Sequence, residues 1–392
     1  MRSGYDVVVI GGAVMGASAA YWLTKMDPSL KVLVVERDPS YAQAATALSV
    51  ASVRLQFSNP VNVKISLFGL DFIRNFANYV PQGGVPDLGL KENGYLFLTD
   101  NAAAAEQMET LAAMQRGLGA QTCVLDPAKL AKQFPWMNLD DVVAGSFGPS
   151  GEGWFDNMGL LGGLRSQARA QGAEFVADTV TGLTRDGGRV THVHLASGAS
   201  IEASAVINAA GTRGAEIMRF VGEDLPVEPR KRTVFVIDAP NARHPDAPLL
   251  IDYTGYYMRP EHDQWITATV PAADGPCAVD DFEPDHHLFE EEIWPALYNR
   301  ALGFDAVKVT RMWVGQYDYC TLDQNAILGR HPVFENLYMC NGFSGHGLQQ
   351  APAIGRGLAE QILTGDWVSI DLSQFGMERV LENRPFAEAA IV

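Results

Sequence analysis

Two glycine-rich loops, Gly11-Gly12-Ala13-Val14-Met15-Gly16 and Asn341-Gly342-Phe343-Ser344-Gly345-His346-Gly347-Leu348-Gln349-Gln350-Ala351-Pro352, stand near opposite ends of the sequence. Each runs into a segment that reads as a helix. The unpaired N–H groups at a helix N-terminus carry partial positive charge and hold an anion without the help of a lysine. Two such ends aimed at one molecule suit a long, anionic ligand with two recognition ends, and FAD fits that description.

The first loop has the surroundings that a dinucleotide needs. Residues 5–10 form a nearly unbroken apolar run, the pattern of a parallel strand buried on both faces. From 14 to 25 the pattern turns helical, Gly16, Ala17, Ala19 and Ala20 let the helix approach the sheet, and Asp27-Pro28 stops it. A second strand over 31–35 ends at Glu36, about 20 or more residues past the glycines, where an acid accepts hydrogen bonds from a ribose hydroxyl and disfavours a phosphorylated one. One position departs from the usual Gly-x-Gly-x-x-Gly: Ala13 replaces the second glycine and narrows the approach to the pyrophosphate, which Gly12 relieves.

A chain of 392 residues suits two domains, and without a repeat or a low-complexity linker these are expected to interleave. The fold class is α/β, with a Rossmann-like FAD-binding domain interleaved with an α+β substrate domain built on an antiparallel sheet. The first takes 1–80, 145–225 and 325–375, the second 81–144 and 226–324, and 376–392 is a C-terminal tail. A helix over 160–171 and strands over 172–176 and 205–208 belong to the nucleotide side. Residues 90–98, 232–237, 256–259 and 264–270 have the β-branched and aromatic content of antiparallel strands.

The net charge of −17 disfavours nucleic acid and anionic membrane surfaces as partners. The first strand begins too early for a signal peptide, and no apolar run reaches about 18 residues, so a cytoplasmic enzyme with no membrane span is expected. Cys123, Cys277, Cys320 and Cys340 lack metal-site spacing, and the adjacent His286 and His287 would point apart on a helix, so no metal is expected.

The sequence resembles the flavin-dependent amine oxidoreductases grouped with D-amino acid oxidase, glycine oxidase and monomeric sarcosine oxidase, from residue 5 to about 365. The likeness is carried by Gly342-Phe343-Ser344-Gly345-His346-Gly347, by Asn208-Ala209-Ala210-Gly211 and by Leu322-Asp323-Gln324-Asn325-Ala326-Ile327-Leu328-Gly329-Arg330-His331-Pro332. Val53-Arg54-Leu55-Gln56-Phe57-Ser58 and the run from Gly345 to Pro352 look closest to a branch that includes a mitochondrial flavoprotein assisting assembly of respiratory complex I.

The resemblance implies that Gly11, Gly12, Ala13, Val14, Met15 and Gly16 hold the pyrophosphate. It places Glu36 and Arg37 at the adenosine end, and Val180, Ala209, Ala210 and Gly211 on the adenine side. Ser49, Arg54, Leu55 and Gln56 with Gly345, His346, Gly347, Leu348 and Gln349 would line the flavin, beside a helix starting near Ala351 whose positive end favours charge on the reduced ring. Two departures stand out. The position at which sarcosine oxidase attaches its flavin falls at Gly315 or Gln316, and Gln349 stands where that enzyme has a lysine near the substrate carboxylate.

Flavin-dependent amine oxidation moves a formal hydride from the carbon bearing nitrogen, so the protein supplies orientation and a neutral amine. A planar guanidinium suits a carboxylate, with Arg259 the first candidate and Arg54 the second. His346 would tune the flavin or accept a proton, and of Tyr256 and Tyr257 one faces the pocket. The expected substrate is an amino acid or N-alkylated amino acid, with oxygen or a redox partner accepting electrons and oligomerisation left open. Two other readings are an FAD-dependent hydroxy-acid dehydrogenase, and an assembly protein whose catalysis is weak or lost. Because no cysteine stands at the attachment position, acid or heat denaturation is expected to release intact FAD into the supernatant. Stoichiometric flavin in the precipitate would show a covalent bond.

Overall fold

The computed structural model describes residues 2–82, 84, 85 and 87–389. Two eight-stranded sheets organise it. In the first, the strand Gly4–Ile10 lies between Val32–Glu36 and Ser200–Asn208, parallel to both, with Ile10 opposite Val35 on one side and Asn208 on the other. Glu174–Ala177 extends the parallel order beyond Val32–Glu36, and Leu337–Asn341 extends it beyond Ser200–Asn208. Val7, Val8 and Val9 are buried on both faces, which explains the unbroken apolar run. The chain crosses from one side of Gly4–Ile10 to the other here, so a crevice opens at the carboxyl ends of these strands, where ligands of such sheets bind.

Helices cover this sheet. Val14–Met26 follows the first loop directly, and Asn157–Ala170 packs near it with its N-terminus capped by Asp156, which accepts from Gly159 N–H at 2.8 Å. The second glycine loop feeds Gly347–Thr364. The helix was expected to start near Ala351, one residue before a proline of the kind that favours a first turn. The helix instead runs through Pro352, and its opening turn is buried against Val14–Met26 and Pro60–Arg74. The hydroxyl of Ser18 meets the Ala351 carbonyl at 2.7 Å.

The second sheet runs Lys308–Cys320, Val227–Asp238, Gln264–Thr269, Tyr256–Glu261, Leu249–Ile251, Tyr95–Thr99, Ala144–Gly148 and Cys123–Leu125. Its pairs are antiparallel except Leu249–Ile251 with Tyr95–Thr99. The strand expected over 90–98 is confined to Tyr95–Thr99. Gly94 turns the backbone at φ +94°, and before it Lys91 pairs with Trp154 of a different sheet. The segment 376–389, expected to be a tail, is packed; 390–392 lie outside the described residues.

A close helix crossing in the nucleotide half is set by Gly355, where a Cβ would sit 2.2 Å from Ser18 Oγ and 2.6 Å from the Ser18 carbonyl carbon. Gly355→Val therefore has to drive Val14–Met26 and Gly347–Thr364 apart. Overpacking of this kind costs about 1–3 kcal/mol or more. The expected outcome is a melting temperature lower by several degrees, measured by calorimetry, together with weaker cofactor binding.

Candidate flavin site

The first loop is shaped by two close approaches. Gly11 has φ +97° and a Cβ there would lie 2.3 Å from the Ala209 carbonyl oxygen, while a Cβ on Gly16 would lie 1.8 Å from the Gly11 oxygen. Both positions therefore require glycine, and the turn brings the start of Val14–Met26 onto the strand ends. Glu36 braces it: one carboxylate oxygen accepts from Gly12 N–H at 2.8 Å and the other from Asp38 N–H at 2.8 Å. Each oxygen has a second lone pair, so a ribose hydroxyl can still donate to it.

A long cavity of about 340 Å³ runs from this turn into the space between the two sheets. Arg37, Asp178, Thr179 and Val180 line one end, Gly11, Ala13, Val14, Met15, Ala209, Ala210 and Gly211 the middle, and Ser49, Arg54 and Gly345 to Gln349 the other end. Glu36 lines it as well; Gly12 and Gly16 serve the packing of the turn and stand behind the surface. The wall opposite the second loop belongs to the antiparallel sheet, with Tyr95, Arg232, Tyr257, Gln316 and Tyr317.

The second loop is held by Asp318. Its carboxylate accepts from Gly342 N–H at 2.9 Å and Phe343 N–H at 3.2 Å, and its carbonyl accepts from Ser344 N–H at 3.1 Å. Burial raises this carboxyl to about 6, against the pull of those amides. Gly345, at φ +93°, lies under Tyr317, whose ring carbon would be 2.5 Å from a Cβ. His346, the residue before the helix, is buried, and neither ring nitrogen has a partner among the described residues. Burial, with the Arg54 charge adding to it, lowers its pKa to about 3. The ring is neutral, edge-on to Phe57 with centroids 5.6 Å apart. A buried imidazole of this kind calls for a polar ligand.

Gln349 explains the missing lysine. Its side-chain amide accepts from Arg54 N–H at 2.6 Å and donates to the Arg54 carbonyl at 3.0 Å and to Ser66 Oγ at 2.9 Å. The side chain thus fixes the Arg54 backbone. Arg54 stacks its guanidinium 4.0 Å above the Phe57 ring and donates to the Gln56 carbonyl. Leu55 and Gln56, expected at the flavin, are turned behind the cavity surface. Both give their N–H groups to Glu152, and Gln56 also donates from its side chain to Glu152 at 2.8 Å and to the Tyr95 carbonyl at 3.0 Å.

Arg259 is placed differently from the expectation. It shares a strand face with Tyr257, but two residues further along carry it past the cavity to lie beneath Val50 and over the Trp154 ring. There it pairs with Glu261 and donates to the Val50 carbonyl at 3.2 Å. Tyr257 faces the cavity, and Tyr256 points into the opposite core with Trp265 and Phe289. Sequence reasoning passed over Arg232, Tyr95, Tyr317, Asp318 and Glu152. Tyr317 was within reach, since it directly follows Gly315 and Gln316, the two positions at which the flavin attachment of sarcosine oxidase falls. Arg232 is held by Asp274 at 2.7 and 3.1 Å and lies over Tyr317.

The glycine cradles, the two helix N-termini and the unpartnered His346 fit a dinucleotide with a polar ring system at one end, which defines a flavin-dependent oxidoreductase. The family model described as FAD dependent oxidoreductase, DAO, matches residues 6–361, and the chain belongs to this family. It is 40% identical to FAD-dependent oxidoreductase domain-containing protein 1 of Xenopus laevis, covering 99% of this chain and 85% of that protein. With human mitochondrial dimethylglycine dehydrogenase it shares 25% identity, over 95% of this chain and 44% of the other. The crystal structure of L-proline dehydrogenase from P. horikoshii superposes with a TM-score of 0.86 at 22% identity, covering 98% of this chain and all (100%) of that one.

Glu152 makes a pH-dependent contribution to stability. Burial raises its carboxyl to about 7, and its hydrogen bonds with Gln56 and Leu55 only partly offset this. An unfolded glutamate loses its proton near about 4.3, so between the two values the native state holds the extra proton and stability falls as pH rises through about 7. The effect is on the order of 3 kcal/mol. Glu152→Gln is expected to flatten this decline, and denaturant titrations across that pH range will show whether it does.

Proposed function

We propose that the chain oxidises the C–N bond of an amino acid or N-alkylated amino acid, giving an imine that hydrolyses. Bound FAD supplies the acceptor for the hydride. The observation that carries the reading is the arrangement at the inner end of the cavity. Arg54, a positively charged side chain, lines it with the hydroxyl-bearing rings of Tyr95, Tyr257 and Tyr317, across from the neutral His346.

In this reading Arg54 receives the substrate carboxylate, its stacking on Phe57 limiting the directions in which the guanidinium can point. The Gln349 and Glu152 contacts keep the Arg54 backbone from shifting when the anion arrives. Tyr257 and Tyr317 keep their protons, since burial raises both hydroxyls, and so can donate to a carboxylate. A substrate amine reacts only when it is neutral, and His346, with its depressed pKa, presents no positive charge to oppose hydride departure. Its free nitrogen lone pair can accept a hydrogen bond from the amine. The substrates named in L-proline dehydrogenase and dimethylglycine dehydrogenase, each an amine carrying a carboxylate, support this class.

Arg54→Ala is the direct test. A buried guanidinium–carboxylate contact loses on the order of 3–5 kcal/mol when one partner is removed. Catalytic efficiency towards the best amino acid is expected to fall by about two to four orders of magnitude, with little change for a neutral amine and with FAD retained. Equal rates for variant and parent on the amino acid would assign the carboxylate elsewhere, with Arg232 next to be replaced.

A further inference from the structure

The stretch after the helix Gly347–Thr364 is tied down at several points. Arg379 is buried, pairs with Asp323 at 2.7 Å and donates to the Asn325 and Ala326 carbonyls at 3.0 and 2.9 Å. Phe386 packs against Phe375 with ring centroids 5.7 Å apart and gives its N–H to Asp323 at 2.9 Å. These contacts deliver Glu388 to the start of the helix Pro60–Arg74, where it is buried.

Ser58, Asn59 and Asn62 all present donors to its carboxylate. Ser58 contributes its N–H at 2.7 Å and its hydroxyl at 2.5 Å, Asn59 its N–H and its side-chain amide, both at 3.2 Å, and Asn62 its side-chain amide at 2.8 Å. Such a set suits an acceptor-only group; an amide would turn its own N–H groups against donors. Asn62 carries the connection onward, its oxygen accepting from Gln350 at 3.3 Å in the first turn of the helix that follows His346. Arg54 and Glu388 both act on His346, in opposite senses, Arg54 disfavouring the protonated ring and Glu388 favouring it.

We propose that Glu388 is a positioning residue of the flavin site, bracing the 58–62 turn against the opening turn of the loop helix and setting a buried negative charge that acts on His346 and opposes electron uptake by FAD. The inference rests on the cofactor of the family and is independent of the substrate.

The test measures the two-electron midpoint potential of the bound flavin and the FAD affinity of the apoprotein in Glu388→Gln, Glu388→Asp and Phe386→Ala. Removing the charge eases reduction. Glu388→Gln is expected to move the equilibrium about tenfold towards reduced flavin, about 30 mV for a two-electron couple. Glu388→Asp, which keeps the charge, stays near the parent, and Phe386→Ala, which loosens the segment, shifts in the direction of the glutamine variant. A Glu388→Gln protein that binds FAD at the potential of the parent overturns the proposal, as does an equal shift in the aspartate variant. If the glutamine variant does not fold, Phe386→Ala decides, and an unchanged potential there is the contradicting result.

Discussion

The main chain of Arg54 is held by a side chain from the far end of the sequence. Gln349 meets both its N–H and its carbonyl, the two-bond pairing that a neighbouring strand gives in a sheet. This contact joins the opening turn of the second glycine-loop helix to the segment that carries the cavity's arginine. Phe57, stacked under that guanidinium and edge-on to His346, is placed by the same constraint. A lysine at 349 could not make both bonds, having no acceptor. The departure from sarcosine oxidase thus puts at this position an amide that fixes the Arg54 backbone.

Buried carboxylates support the walls around this contact. Glu152 accepts backbone N–H groups from the 54–56 segment, Asp318 from the second glycine loop, and Glu388 from the entry to Pro60–Arg74. Desolvation works against each charge, and aligned N–H donors offset it. The balance is visible in Glu152 and Asp318, whose carboxyls remain raised despite those bonds. Such groups rigidify loops that a backbone ladder cannot reach.

The nucleotide half was legible because its signals are local. Strand, glycines, small-residue helix and acid follow one another within the first 36 residues, and the structure arranges them in that order. The helix start at Gly347 was misplaced because Pro352 resembles a first-turn proline, whereas tertiary packing on Val14–Met26 carries the helix through it. The substrate side was harder to read because its faces depend on distant pairings. Arg232 reaches the cavity through a strand whose register, Arg232 opposite Gly315, joins residues far apart in sequence. Arg259 had a warning nearby: Glu261 lies on the same face, two residues on, and takes its charge. Glu152, between glycines, gave no periodic signal at all.

The central claim is that this cavity delivers the carbon beside an amine nitrogen to FAD while a carboxylate anchors the molecule. Anaerobic mixing with a panel of primary, secondary and tertiary amino acids and their decarboxylated counterparts, followed by the visible absorbance of the flavin, tests it most directly. The account predicts bleaching by at least one carboxylated amine and far slower bleaching by its decarboxylated partner. Equal rates for the two, or a flavin that dithionite reduces but no member of the panel does, would contradict it.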